Sequence, residues 1–352
     1  MNPSLENLWE ISRPLWRPLS WVYGMAVRLR RRAYERGWLA RRHPGVFSLV
    51  VGNLSLGGEG KTPVTLALAE WLWALGRRPV VILRGYGGRG RGPLVVSEGG
   101  GSRVSPEVSG DEAQLYAQRL SGVPVVVGRD RLAASELACR RFRPGVLLFD
   151  DAFQHLRLSA DLYLLVVSAA RDPFSEPLFP AGRLREPPGA ACRASAILLT
   201  RTEDYPERAE ALFRRFSEMG LPVFSVTLEP GPLVGRFPQG LFPVSGLRPR
   251  RVVAFCGVGD PESFRRALGA RGFEVLHLES FPDHYSYRPR DLKRLYRKAQ
   301  ELSAEALLTT EKDLVKIPPV AGPLPLLALS LLTRLPRAFL RWLEEQLPPA
   351  EG

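Results

Sequence analysis

Lys61 and Thr62 stand side by side, directly after Ser55-Leu56-Gly57-Gly58-Glu59-Gly60. Glycines at this spacing let backbone N–H groups turn inward onto phosphate oxygens. A lysine then reaches the β- and γ-phosphates of a nucleoside triphosphate, and a neighbouring hydroxyl helps hold Mg²⁺. Gly57, Gly58, Gly60, Lys61 and Thr62 are therefore the expected nucleotide-binding set. Two residues depart from the strict pattern. Ser55 occupies the place of the first glycine, and Glu59 puts a carboxylate into a loop made for anions, so its side chain must point away from the phosphates.

Carboxylates supply the second half of phosphoryl-transfer chemistry. The apolar run Val146-Leu147-Leu148-Phe149 ends in Asp150-Asp151, where a phosphate-loop protein keeps its other metal-holding acid; Asp150 is expected to face Mg²⁺ directly or through water, and Asp151 to hold the metal's second shell or support the loop, the plainer reading being acids that cap the strand and start the next turn. Gly110-Asp111-Glu112 opens a helix. Asp111 there serves equally well as an N-cap or as the base that takes the proton of an attacking hydroxyl. Arg84 with Tyr86 on a glycine-rich loop, Arg131 at a helix start, and Arg183 with Arg185 are candidates for anionic ligands, although each could be a surface arginine. Of the four histidines, His155 follows the paired acids, His284 lies in a polar loop and His277 fits an apolar strand. No spacing suggests zinc, and no nucleophilic triad is visible.

These residues need a scaffold that brings strand ends together. Apolar runs at 46–51, 79–83, 123–127, 145–149, 162–167 and 196–200 predict strands. Helical patterns occupy 62–75, 111–121, 130–142 and 207–219. The alternation predicts an α/β fold, a mostly parallel sheet flanked by helices. The proline-rich stretch 226–250 reads as a linker between a core at 43–225 and a smaller C-terminal α/β subdomain at 251–352. That subdomain holds a strand at 252–256, helices at 261–271 and 289–302, an apolar segment at 306–309 and a last helix at about 335–347. Gly85–Gly92 and Glu98–Ser109 read as loops on the ligand-binding edge.

Composition narrows the class. The net charge of +13 favours polyanions, whether nucleic acid, anionic lipid or a phosphorylated substrate. Cys139, Cys192 and Cys256 are widely spaced and read as buried free thiols, and no signal peptide is visible. Residues 1–42 hold Trp9, Trp16, Trp21 and Trp38 among clustered arginines, around the apolar run Leu19–Val27. That run is too short to span a bilayer, which takes about 20 residues, and it suits a helix lying in a membrane interface.

Taken in order, these segments resemble the tetraacyldisaccharide 4'-kinase family of lipid A biosynthesis. They are Val51–Pro63, Arg84-Gly85-Tyr86-Gly87, Gly110-Asp111-Glu112, Asp150–His155, Pro180-Ala181-Gly182 with Leu184-Arg185-Glu186, Phe281-Pro282-Asp283-His284 and Thr310-Glu311-Lys312-Asp313. The resemblance implies a peripheral enzyme on the cytoplasmic face of the bacterial inner membrane. It would use ATP and Mg²⁺ to phosphorylate the 4'-hydroxyl of a tetraacylated glucosamine disaccharide 1-phosphate, with no nucleic acid and no obligate protein partner. It implies Asp111 as base, His284 as the partner that poises it, and Lys61 and Thr62 on phosphate and Mg²⁺. Asp150 and Asp151 become the second acidic site, Lys312-Asp313 lie near the nucleotide, and Arg84, Tyr86, Arg131, Arg185, Glu112, Gln154 and His155 are on the substrate side. The two sections would close over ATP, the second delivering His284. Glu59, Ala152 and Arg183 depart from the family's form, and Ala152 in place of glycine argues for a turn without positive φ. A phosphate-loop ATPase or GTPase switch docking on a membrane or nucleic-acid partner is the alternative, and a cytosolic metabolite kinase is the plainer one.

Overall fold

Short β-branched and leucine-rich runs make the strands, and their alternate side chains feed two opposite helix layers. The structure, a computed structural model, describes residues 3–237, 240–258, 260–282, 285–317 and 322–349. The first half contains α1 (Pro3–Glu35), β1 (Ser48–Gly52), α2 (Lys61–Ala74), β2 (Pro79–Leu83), β3 (Leu94–Ser97), α3 (Pro106–Ser109), α4 (Asp111–Arg119) and β4 (Val125–Val127). It continues with α5 (Arg131–Phe142), β5 (Val146–Asp150), β6 (Leu162–Ser168), β7 (Ala196–Thr200) and α6 (Pro206–Glu218). The remainder holds β8 (Val223–Phe237), β9 (Gly240–Pro243), β10 (Arg251–Cys256), α7 (Pro261–Ala270), β11 (Glu274–Ser280), α8 (Pro289–Glu301), β12 (Ala306–Thr310), α9 (Glu311–Leu314), β13 (Leu326–Arg334) and α10 (Arg337–Gln346).

Among the described residues the thirteen strands form one sheet, in the order β11-β10-β12-β13-β8-β7-β6-β1-β5-β2-β4-β3 with β9 on β8. From β7 to β4 the first half is parallel. On β1, Leu49 and Val51 face the layer of α2, α4 and α10, while Val50 faces α5 and α6. Because β1 lies between β5 and β6, the carboxyl ends of β1 and β5 meet, with Val51 opposite Asp150. That is the crevice where open α/β sheets bind ligands.

Much of the stretch expected as a linker at 226–250 is strand: β8 runs to Phe237 and β9 spans Gly240–Pro243. β8 pairs in parallel with β7 through Val223–Val226 and antiparallel with β13 from Thr227 to Val234. Its prolines fit because the β8–β13 ladder shifts register between Leu329 and Leu331, where Pro230 and Pro232 need donate nothing; Ser330 Oγ instead donates to the Pro232 carbonyl at 2.7 Å. β8 therefore runs past the carboxyl edge of the first half, and β10, β12 and β13 run back along it. The carboxyl ends of both parallel sets face one another.

A shared apolar cluster of Leu115 from α4, Val234, Leu241, Leu314, Val315 and Ala328 joins the halves. The last helix does not stay with the C-terminal section. Phe339 and Leu343 of α10 are fully buried in the core of the first half, with the Phe339 ring 5.3 Å from Phe224. Cys192 is exposed, so the expectation of three buried thiols holds only for Cys256 in full, with Cys139 half-buried.

Helix α1 is longer than the apolar run that announces it. It rests on the loop before Glu186: Ser20 Oγ donates to the Leu178 carbonyl at 2.9 Å and accepts from Ala181 N at 2.8 Å. A Cβ on Gly24 would lie 2.8 Å from Leu178 Cδ1, so a larger residue there would push that leucine side chain aside. Leu15, Trp16, Leu19, Trp21, Val22, Met25 and Leu29 remain exposed. No described helix is long and apolar enough to cross a membrane.

Candidate active site

The phosphate loop connects β1 to α2, and Gly60, at the helix N-cap, takes φ +90. Lys61 Nζ lies 3.4 Å from Asp151 Oδ1, and Arg185 Nη1 donates to both Asp151 oxygens at 2.9 and 3.0 Å. Burial would raise the Asp151 carboxyl, but Lys61 and Arg185 outweigh it and hold it below the ordinary range. Asp151 adopts φ +50, so the turn after β5 does use the left-handed region, at Asp151 and not at Ala152. The absence of glycine at 152 was thus a poor guide to the turn.

Asp150 is buried beside it. Its Oδ1 accepts from Thr65 Oγ1 at 3.2 Å and from Asp151 N at 3.0 Å, and its Oδ2 accepts from Tyr116 Oη at 2.8 Å. Burial first, then the Glu112 charge, pushes its pKa up to about 6. Sequence reading missed Thr65 and Tyr116. Thr65 is four residues after Lys61 and Tyr116 five after Asp111, so both look like ordinary inward positions of their helices. The one available signal was a polar atom on each at a position that had to be buried.

Asp111 is the first residue of α4, half-buried, directly after Gly110. Gly110 has φ +86, and a Cβ there would lie 2.1 Å from the Tyr86 carbonyl oxygen. Only glycine allows the Tyr86 loop to lie against the start of α4. The same short helix therefore presents Asp111 at its first turn and Tyr116, on Asp150, at its second. Glu112 is half-buried nearby; Arg84 and Tyr86 are exposed, Tyr86 by 63%.

Arg131 is buried behind the acids. Its Nη1 donates to the Gly128 carbonyl at 2.8 Å and its Nη2 to the Asp150 carbonyl at 3.3 Å. Burial pushes its pKa down to about 10. Gln154 Nε2 donates to the Asn53 carbonyl at 2.8 Å, just before the loop. His155 is half-buried, and burial followed by the Arg131 charge lowers its pKa.

The C-terminal residues divide. Lys312 is half-buried on α9. Asp313 is fully buried, and its Oδ2 accepts from Thr310 Oγ1 at 2.7 Å and Gly257 N at 2.9 Å, while Oδ1 meets Lys316 Nζ at 2.8 Å. That carboxylate ties the ends of β10 and β12 together. Next to it, Glu311 Oε1 pairs with Arg119 Nη1 at 2.5 Å, linking the end of the Asp111 helix to the C-terminal section. His284 lies outside the described residues; the flanking Phe281 and Tyr285 rings lie tilted against each other, 4.8 Å apart, after β11.

Lys61, Asp151, Asp150 and Arg185 thus share one crevice with the start of α4. A cation on a glycine loop, a buried acid beside it and a half-buried acid on the facing helix are the parts of an in-line phosphoryl transfer.

A family model described as tetraacyldisaccharide-1-P 4'-kinase matches residues 12–348. A tetraacyldisaccharide 4'-kinase of Desulfotalea psychrophila is 36% identical over 315 residues, 88% of this chain and 89% of that protein. One of a Bradyrhizobium species is 40% identical over 301 residues, 85% and 82% of the two chains. The crystal structure of LpxK from Aquifex aeolicus in complex with ATP superposes with a TM-score of 0.80 at 34% identity, covering 96% of this chain and 99% of that one.

Proposed function

Because the chain belongs to the tetraacyldisaccharide-1-P 4'-kinase family, we propose that it moves the γ-phosphoryl group of ATP to the 4'-hydroxyl of a tetraacylated glucosamine disaccharide 1-phosphate. The observation that carries the reading is α4. One nine-residue helix puts Asp111 at its first residue and, through Tyr116, grips the acid beside the phosphate loop. Base and nucleotide crevice are thereby set by one rigid element.

Lys61 leaves Asp151 for the β- and γ-phosphates when nucleotide binds, and Arg185 keeps Asp151 ionised as it does so. Asp111 accepts the proton of the attacking hydroxyl, with His284 poising it from the opposite section. Lys312 lies near the nucleotide, with Asp313 bracing its segment from behind. Arg84 and Tyr86 reach the substrate headgroup from the loop after β2, with Arg131, Glu112, Gln154 and His155 shaping the wall behind.

The donor set fits Mg²⁺. Thr62 offers a hydroxyl and Asp150 a carboxylate, hard oxygens for an ion that takes its other ligands from phosphate and water. Such an ion neutralises charge on the transferring phosphates. The exposed apolar face of α1 gives the chain a place to rest on the cytoplasmic side of the inner membrane, where a lipid acceptor resides.

The test is transfer of label from γ-labelled ATP to a tetraacyldisaccharide 1-phosphate in detergent micelles with Mg²⁺. Labelled lipid should form, vanish with Lys61→Ala, and fall by about 10²–10⁴-fold with Asp111→Ala while ATP affinity changes little. Hydrolysis without labelled lipid would replace this reading with the ATPase switch; near-normal turnover of Asp111→Ala would remove Asp111 as base.

A further inference from the structure

The phosphate loop contains its own carboxylate, and the structure shows where it goes. Glu59 turns behind the loop. Its Oε2 accepts from the backbone N–H of Ser168, the last residue of β6, at 2.6 Å, and its Oε1 accepts from the Ser55 hydroxyl. Its own carbonyl accepts from Thr200 Oγ1, at the end of β7, at 2.9 Å. The next residue, Gly60, has its α-carbon pressed against that same threonine, where a Cβ would come within 3.3 Å of Thr200 Cγ2. The carboxylate shares a small cleft with Ser168, Arg171, Glu176 and Arg183. The Arg183 carbonyl accepts from Leu56 N at 2.7 Å, so the loop is held from that side as well.

A loop that points several N–H groups at one spot gathers partial positive charges that repel one another until an anion arrives. Left to itself it spends time in other shapes, and nucleotide binding must overcome that loss of freedom. Hydrogen bonds to a charged acceptor are among the stronger restraints available.

We infer that Glu59 is a positioning residue, a latch that fastens the first and middle residues of the phosphate loop to the end of β6 and so holds the loop in its nucleotide-binding shape before nucleotide arrives. It does not touch the nucleotide. The inference rests on the reading of this loop as a nucleotide cradle. Its charge works against binding and its hydrogen bonds work for it, and substitution separates the two. Glutamine keeps an oxygen for Ser168 N–H and an amide for Ser55 Oγ, and removes the charge. Alanine removes everything.

The experiment measures binding of Mg²⁺ with a slowly hydrolysed ATP analogue by calorimetry, and steady-state kinetics, for wild type, Glu59→Gln and Glu59→Ala. Glu59→Ala should weaken binding and raise the KM for ATP roughly tenfold, with kcat changed much less, because only the cost of ordering the loop has risen. Glu59→Gln should restore affinity to about the wild-type level or better. Alanine binding as tightly as wild type, or glutamine as weak as alanine, would overturn the latch. Amide hydrogen exchange at Ser168 in the nucleotide-free protein reads the latch on its own. Exchange should be faster in Glu59→Ala than in wild type and Glu59→Gln, and equal exchange in all three would overturn it. Failure of the wild-type protein to bind any nucleotide, with Ser168 still protected, would instead remove the cradle reading and leave the latch standing.

Discussion

Asp150→Asn should make the nucleotide-free protein more stable while ending Mg²⁺-dependent turnover. Asp150 is 2% exposed and its pKa is pushed up to about 6 from the ordinary aspartate value of 3.8, by burial and then by Glu112. At about 1.4 kcal/mol for each tenfold change in proton affinity, keeping it ionised in the folded chain costs about 3 kcal/mol. The folded state holds this proton more tightly than the unfolded state does. The penalty is therefore absent below about pH 4, grows as pH rises, and is complete above about pH 6. Asparagine preserves the surrounding bonds. Its oxygen accepts from Thr65 and Asp151 N, and its amide donates to Tyr116, whose hydroxyl has the Thr62 carbonyl at 3.4 Å as another acceptor. Urea unfolding should show the variant more stable by about 3 kcal/mol at pH 8 and by about half of that at pH 5. A variant no more stable than wild type at pH 8, or a gain that does not shrink with acid, would refute the argument that this acid is held charged against its surroundings.

Arg119→Met strands Glu311, whose other oxygen accepts from Leu331 N at 3.2 Å, in a buried site; urea unfolding should register a loss of about 3–5 kcal/mol. Gly110→Ala should cost about 1–3 kcal/mol through its positive φ, and because the new Cβ meets the Tyr86 carbonyl it should also lower kcat by moving Asp111, which the lipid kinase assay detects. Trp21→Glu with Leu29→Glu changes two exposed positions, 76% and 64% accessible. Sedimentation with anionic vesicles should show binding reduced more than tenfold, given roughly 1.5–3 kcal/mol for each large apolar side chain, with the circular dichroism spectrum unchanged.

The strands at 79–83 and 196–200 were legible to the residue, because each is an uninterrupted apolar run ending at a polar turn, as buried parallel strands require. The strand that carries Asp150, expected at 145–149 and found at Val146–Asp150, was legible to within a residue for the same reason. β8 was not. Its prolines and glycines advertise a break, and only the irregular ladder with β13, over a hundred positions downstream for Arg334 against Thr227, makes them tolerable. Thr65 and Tyr116 stayed hidden because a helix pattern records that a position faces inward and not what it meets there. The direction of Glu59 could be argued from charge alone, since it had to avoid the phosphates. Its partner Ser168 is a backbone donor, and backbone donors leave no mark in sequence.

The return of α10 to the first half bears on how the chain is made. Phe339 and Leu343 complete the apolar layer over β1, β6 and β7, and Arg77 is held by the Pro348 carbonyl at 2.8 Å. During synthesis, the phosphate-loop half emerges from the ribosome long before the helix that seals it. Leu198, Val226 and Phe224 must wait, unsealed, for a helix more than a hundred positions further along the chain. The first half cannot complete its packing until that helix has emerged, and in the interval its open apolar face is a natural client for chaperones.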